Sequence, residues 1–198
     1  MLDLILLIGS IVILLPLFYL ISAVEFNLYL TIALILFLIP TIKALIRGAP
    51  FVPTPLSAVE KMIKEANLKD GFKVYDIGCG DGRIVHNASK QANIKAVGFE
   101  LSPLVFLLAI IRKIFWKSNA KIKFSDFKWH NLSDADVVFC YLLPDTLARL
   151  APKLEDELKK GSKIISYAFP IANWKETKKV PRNEKLKHGP IWIYEIRK

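Results

Sequence analysis

The stretch KVYDIGCGDGRIV, residues 73–85, restricts the fold of this chain more than any other. An apolar run rich in β-formers leads into glycines at 78, 80 and 82, and a run able to open a helix comes next. A strand that passes through a glycine-rich turn into a helix is the first unit of an open parallel sheet. Glycines at such a turn let the backbone approach a ligand, and the helix after it presents free N–H groups.

The rest of the chain repeats the alternation. The spacing predicts strands over 73–77, 94–99, 120–124, 136–141, 163–169 and 191–196. Helices are expected over 82–91, 104–116 and 145–160. A further helix should run from Pro55 to about Asn67, with Thr54 as its N-cap. The last strand and a short extended piece near 177–180 have no room for a helix between them, which implies an antiparallel hairpin at one sheet edge. The fold class is therefore α/β, a Rossmann-like sheet with helices on both faces.

The turn fits neither common phosphate-binding pattern. Gly78, Gly80 and Gly82 give G-x-G-x-G, not the G-x-G-x-x-G of dinucleotide sites. Arg83 follows Gly82, so the Lys-Ser or Lys-Thr of a Walker loop is missing. Asp76 and Asp81 would repel a pyrophosphate but would attract a cation. Glu100, at the end of the second strand, is placed to accept hydrogen bonds from ribose hydroxyls, 18 residues after Gly82. A ligand with a ribose, a positive charge and no phosphate meets these conditions, and S-adenosylmethionine is such a ligand.

With Glu100, the segment DIGCGDG, residues 76–82, resembles motif I and the following acidic position of class I S-adenosylmethionine-dependent methyltransferases. A narrower resemblance runs in order through PFVPTP (50–55), DIGCGDGRIV (76–85), VGFELSP (97–103) and FPIANW (169–174). These are similar to the membrane-associated protein-lysine N-methyltransferases of the ATP synthase c-subunit and the adenine nucleotide translocase, and to their shorter prokaryotic relatives. The resemblance implies a Rossmann-like class I methyltransferase sheet, with Asp126 at the position that bonds the adenine amine. Asp76, Gly78, Gly80, Asp81, Gly82, Glu100, Asp126 and Thr54 are the expected cofactor residues. Tyr141, in YLLP at 141–144, where those enzymes carry a different apolar stretch, is the catalytic candidate beside the methyl group.

Ahead of this domain, residues 4–24 and 26–42 are uncharged runs. At about 1.5 Å per residue the first spans roughly 30 Å, the thickness of a bilayer core. An N-terminal transmembrane helical hairpin over 1–47 is expected, then a proline-rich linker over 48–55 and the methyltransferase domain over 56–198. A signal peptide fits less well, because the start carries Asp3 and no basic residue. Lys43 and Arg47 follow the second run, which points the domain to the cytoplasm or its topological equivalent, the matrix in a mitochondrial membrane.

Residues 1–50 carry Asp3, Glu25, Lys43 and Arg47, so the net charge of +10 belongs to residues 51–198. From 171 to 198 there are eight Lys or Arg against three Glu, a net +5. Such a balance suits an anionic membrane surface better than nucleic acid when apolar segments lie next door. The helix over 104–116 is apolar on more than one face, and part of it is expected to touch lipid or the hairpin. Cys79 and Cys140 have no metal-ligand spacing and read as packing residues; no metal is expected. His86, His130 and His188 are expected at the surface. A protein lysine on a membrane protein is the expected acceptor. A lipid or quinone acceptor, and a non-enzymatic nucleotide-binding scaffold, are the alternatives.

Overall fold

The computed structural model describes residues 51–91 and 93–198, together with Phe18 and residues 28–32 and 34–35. The expected hairpin over 1–47 lies outside the described residues, apart from those few positions, which are helical. Among the described residues no helix is long and apolar enough to cross a membrane. Compact units cover Met1–Ile39 and Pro40–Lys198.

The second unit is built on a seven-stranded sheet. In chain order come α1 (Leu56–Ala66), β1 (Lys73–Ile77), α2 (Arg83–Ala88), β2 (Lys95–Glu100), α3 (Pro103–Phe115) and β3 (Lys121–Phe124). A 3₁₀ turn (Phe127–Trp129) precedes β4 (Val137–Cys140), α4 (Pro144–Glu157), β5 (Lys163–Tyr167), β6 (Lys178–Val180) and β7 (Ile191–Glu195). The strand order is β3-β2-β1-β4-β5-β7-β6. Strands β1 to β5 pair in parallel, and β7 runs antiparallel between β5 and β6. The hairpin edge expected from the short connection is present.

Alternation along the strands divides the core in two. Val74, Val137 and Phe139 face α1 and α2, where Val59, Met62 and Val85 pack. Tyr75, Ile77 and Val138 face the other way, toward Leu147, Leu150 and Leu154 of α4. This is the period of two expected for strands buried on both faces.

Two local expectations need correction. Helix α1 begins at Leu56; Pro55 holds the N-cap position, and Thr54 makes no capping bond. The Thr54 carbonyl instead accepts a bond from Arg83 Nη1. His86 and His188 are buried, not superficial. His86 lies on the inner side of α2, with Nδ1 2.9 Å from Ser118 Oγ and Nε2 3.0 Å from the Ala109 carbonyl. Those partners satisfy both ring nitrogens and allow full burial. Nδ1 of His188 lies 2.9 Å from the Gly189 carbonyl.

Candidate active site

Strand order reverses between β1 and β4, and ligands in open α/β sheets bind beyond the carboxyl ends of strands at such a point. A cavity of about 420 Å³ lies there. The end of every parallel strand contributes to it: Gly78 to Asp81 after β1, Glu100 to Ser102 after β2, Ser125 and Asp126 after β3, Tyr141 to Leu143 after β4, and Phe169 after β5.

The glycine turn is held by its own backbone. Gly78, Gly80 and Gly82 all have positive φ, at 71°, 57° and 75°. A side chain at 82 would meet His86 Nε2 at 2.5 Å, and one at 80 would meet Phe51 Cε2 at 2.8 Å. Glu100 ties the turn to β2: Oε2 accepts Gly80 N–H at 3.0 Å, and Oε1 accepts Leu101 and Ser102 N–H at 2.9 and 2.8 Å. A carboxylate accepts about four hydrogen bonds, so one lone-pair direction is left for a ligand. Burial raises the Glu100 pKa, against the effect of these three bonds.

Asp76 and Asp81 differ sharply. Asp81 is buried but fully compensated. Arg83 grips it with Nε at 2.9 Å and Nη2 at 2.7 Å, and Arg112 Nη2 lies 2.9 Å away. Its charge therefore bears less on a ligand than its sequence position implies. Asp76 is 1% exposed, and its Oδ2 has no hydrogen-bond partner. Burial raises its pKa well above the usual carboxylate range, and the charges of Glu100 and Asp81 add to the effect. A buried, unpaired carboxyl lining a cavity is a demand for a cation.

The other expected residues fall on the same cavity. Thr54 is buried and lines it with Phe51, Val52 and Pro53, so the linker forms one wall. Asp126 lines it and also caps the 3₁₀ turn, accepting Lys128 N–H at 3.0 Å. Tyr141 lines it beside Phe169, with ring centroids 6.5 Å apart and the planes stacked, and its ring meets Tyr167 edge-on at 4.9 Å. Phe51, Arg83 and Phe169 were not foreseen as site residues. FPIANW already marked the neighbourhood of Phe169, and the proline-rich linker offered no local sign that it folds back. His130 is half-buried against Phe99, with Nε2 2.9 Å from Ser125 Oγ. The described residues hold no group of three or more His, Cys, Asp or Glu suited to a metal.

The seven-stranded order with β7 reversed, the positive-φ glycine turn, the carboxylate at the end of β2 and the unpaired Asp76 define a class I methyltransferase, with S-adenosylmethionine as cofactor. The fit rests on Asp76, whose orphaned carboxyl matches a cationic ligand. A family model described as the ANTKMT methyltransferase domain matches residues 76–178, and the chain belongs to that family. It is 36% identical over 150 residues to a protein-lysine N-methyltransferase of Saccharolobus islandicus, covering 74% of this chain and 93% of that protein. It is also 36% identical over 129 residues to the Rattus norvegicus lysine N-methyltransferase of the ATP synthase c-subunit. That match covers 63% of this chain and 58% of the rat enzyme. Among solved structures, an RNA methyltransferase of Salinibacter ruber in complex with S-adenosyl-L-homocysteine superposes with a TM-score of 0.69. Its identity is 28%, over 74% of this chain and 95% of the other.

Proposed function

We propose that this methyltransferase modifies lysine side chains of membrane-associated proteins. In this reading residues 1–47 anchor it, 48–55 link, and the domain over 56–198 faces the cytoplasm. The observation that carries the acceptor is the stacked pair Tyr141 and Phe169, which share the cavity with Asp76. Aromatic faces attract an ammonium or methylammonium group, and an apolar setting favours its neutral form. The names of the archaeal and rat relatives, both lysine N-methyltransferases, support the same acceptor.

Each residue then has a role. Asp76 accepts a hydrogen bond from the cofactor's amino group, Glu100 one from its ribose and Asp126 one from its adenine amine. The backbone of Gly78, Gly80 and Gly82 admits the ligand closely. Asp81 holds the turn through Arg83 and Arg112, and Thr54 closes the wall. Held by these residues, the cofactor would supply an electrophilic sulfonium methyl group, and the acceptor amine would have to meet it neutral, its proton given up to water. Burial raises the Tyr141 pKa, so its hydroxyl keeps its proton at neutral pH. It orients the amine as the catalytic candidate rather than taking its proton. The remaining task is alignment, since an in-line displacement needs the acceptor close and collinear.

The test is radiolabelled methyl transfer from S-adenosylmethionine into membrane fractions, separated into protein and lipid, with the protein hydrolysed to amino acids. Methyl-lysine is expected, and label confined to lipid overturns the reading. The Salinibacter neighbour, an RNA methyltransferase by name, supports RNA as a second acceptor. Label transferred to added RNA in place of protein would establish it.

A further inference from the structure

Helix α3 buries only Ala109 completely. Its outer side is a continuous apolar stripe: Leu104, Leu107, Leu108, Ile111, Ile114 and Phe115 are all exposed. The spacing of three and four residues is that of a helix face, so this is a second hydrophobic side pointing away from the sheet. From Leu104 to Phe115 the stripe runs about 16 Å. It is most exposed at its end, where Ile114 is 70% and Phe115 80% accessible. The surface continues onto edge strand β3, where exposed Phe124 meets Phe106 with ring centroids 5.4 Å apart.

The charge around the stripe has one sign. Residues 101–125 contain Arg112, Lys113, Lys117, Lys121 and Lys123 and no Asp or Glu. Arg112 is committed to Asp81 and to the ring of Trp116, and Lys121 and Lys123 alternate with Phe124 onto the other face of the sheet, Lys123 over the Phe99 ring, which leaves Lys113 and Lys117 beside the stripe. An apolar helix face rimmed by lysine and backed by tryptophan has the composition of a helix lying in a lipid interface.

We infer that this face of α3, with Phe124 of β3, is a membrane-contact surface that seats the methyltransferase domain on an anionic lipid bilayer. Charge selects this occupant. The chain's own residues 1–50 sum to zero charge, and a second copy of the chain would bring a further +10, so neither complements the lysines. Acidic lipid headgroups do, at about 1 kcal/mol for each lysine near the surface. The stripe starts beside the cavity, which Leu101 and Leu104 line, so seating it would bring the cavity mouth close to the headgroups. This extends the membrane-associated acceptor proposed above but does not depend on a lysine acceptor.

The experiment uses the full-length chain, carrying Phe115→Cys labelled with an environment-sensitive fluorophore. Cys79 and Cys140 are buried, and burial pushes the Cys140 thiol up to about 12, so the label goes to the introduced thiol. The protein is reconstituted in phosphatidylcholine vesicles with and without phosphatidylglycerol. The expected result is a blue shift and quenching by shallow brominated lipids when phosphatidylglycerol is present, both reduced by salt. A label at the exposed Glu155 of α4, on the other side of the sheet, should show neither. An unquenched label at 115 in both lipids overturns the proposal. So does a label that brominated lipid fails to quench while it is also shielded from aqueous iodide, which would mean that the N-terminal segment or a second copy covers the stripe. Quenching equal in the two lipids, and indifferent to salt, overturns the anionic partner. None of these readouts requires methyl transfer, so failure of the lysine reading is seen separately.

Discussion

Glu100 Oε2 accepts the Gly80 backbone N–H at 3.0 Å, which fastens the acid that ends β2 to the turn after β1. The same carboxylate takes the first two N–H groups after β2. Glu100→Ala leaves three backbone donors without their acceptor. Bonds to a charged acceptor contribute about 1.5–3 kcal/mol, so a loss of about 2–3 kcal/mol is expected, with a melting temperature lower by roughly 5–10 °C. Cofactor affinity should fall about 10–100-fold by calorimetry. Glu100→Gln can still accept Leu101 and Ser102 N–H but turns an NH2 toward Gly80 N–H, so it should recover only part of the stability and little of the affinity. Equal affinity in the two proteins would remove Glu100 from the cofactor site.

Asp76 should trade stability for binding. Its pKa in the folded protein is raised by burial first and by Glu100 and Asp81 second. Protonation therefore favours the folded state. The cofactor-free protein is most stable below the ordinary aspartate range and loses that contribution as pH rises toward the raised pKa. Asp76→Asn removes the cost, and at neutral pH the variant should be about 1–2 kcal/mol more stable than the parent, while cofactor binding is lost. The difference should shrink as pH is lowered toward the ordinary aspartate value. Thermal melts of both proteins across acid and neutral pH check the sign.

How much of this was legible in the sequence depended on distance along the chain. The strand before Gly78, the helix after Gly82 and the acid at 100 are local patterns, and the structure places them where periodicity and spacing put them. The state of Asp81 was not legible, because Arg112 reaches it from another helix. Nothing in DGRIV distinguishes a paired aspartate from the unpaired one at 76. His86 was misread for the same reason: Ser118, which lets the ring be buried, lies 32 residues away. Thr54 carried a helix-start pattern, but Arg83 bonds its carbonyl and the helix opens two residues later.

Gly82 cannot carry a side chain. Its φ of 75° is left-handed, and a Cβ would lie 2.5 Å from His86 Nε2. Moving His86 would break its contacts with Ser118 and Ala109. Gly82→Ala is expected to cost about 2–4 kcal/mol, adding backbone strain to the displaced ring. Urea denaturation measures the loss. The variant Gly71→Ala, at φ 79° with open space around it, isolates the strain alone and should cost about 1–2 kcal/mol.

Arg83 joins the linker to the turn. It grips Asp81 with two nitrogens and reaches the Thr54 carbonyl with a third. Arg83→Met leaves buried Asp81 with Arg112 alone, and a loss of about 2–3 kcal/mol is expected. Arg83→Lys should not restore it, since an ammonium cannot reproduce the two-pronged geometry. Limited proteolysis near residues 51–55 should also speed up in both variants. Unchanged cleavage would mean that the linker is held without Arg83.

Tyr141 separates a hydroxyl's work from a ring's. The ring packs edge-on against Tyr167 at 4.9 Å and beside Phe169, and Tyr141→Phe preserves both contacts. Stability should therefore stay within about 0.5 kcal/mol of the parent. If the hydroxyl orients the acceptor amine, kcat should fall about ten-fold, with the cofactor's Kd unchanged. Burial, reinforced by Tyr167, raises the Tyr141 pKa above its ordinary value of 10. The hydroxyl then stays protonated through neutral pH, and the pH–rate profile should have the same shape in parent and variant. Full kcat in Tyr141→Phe, with loss only in Tyr141→Ala, would reduce Tyr141 to a packing residue and leave alignment of the amine to the rest of the aromatic wall.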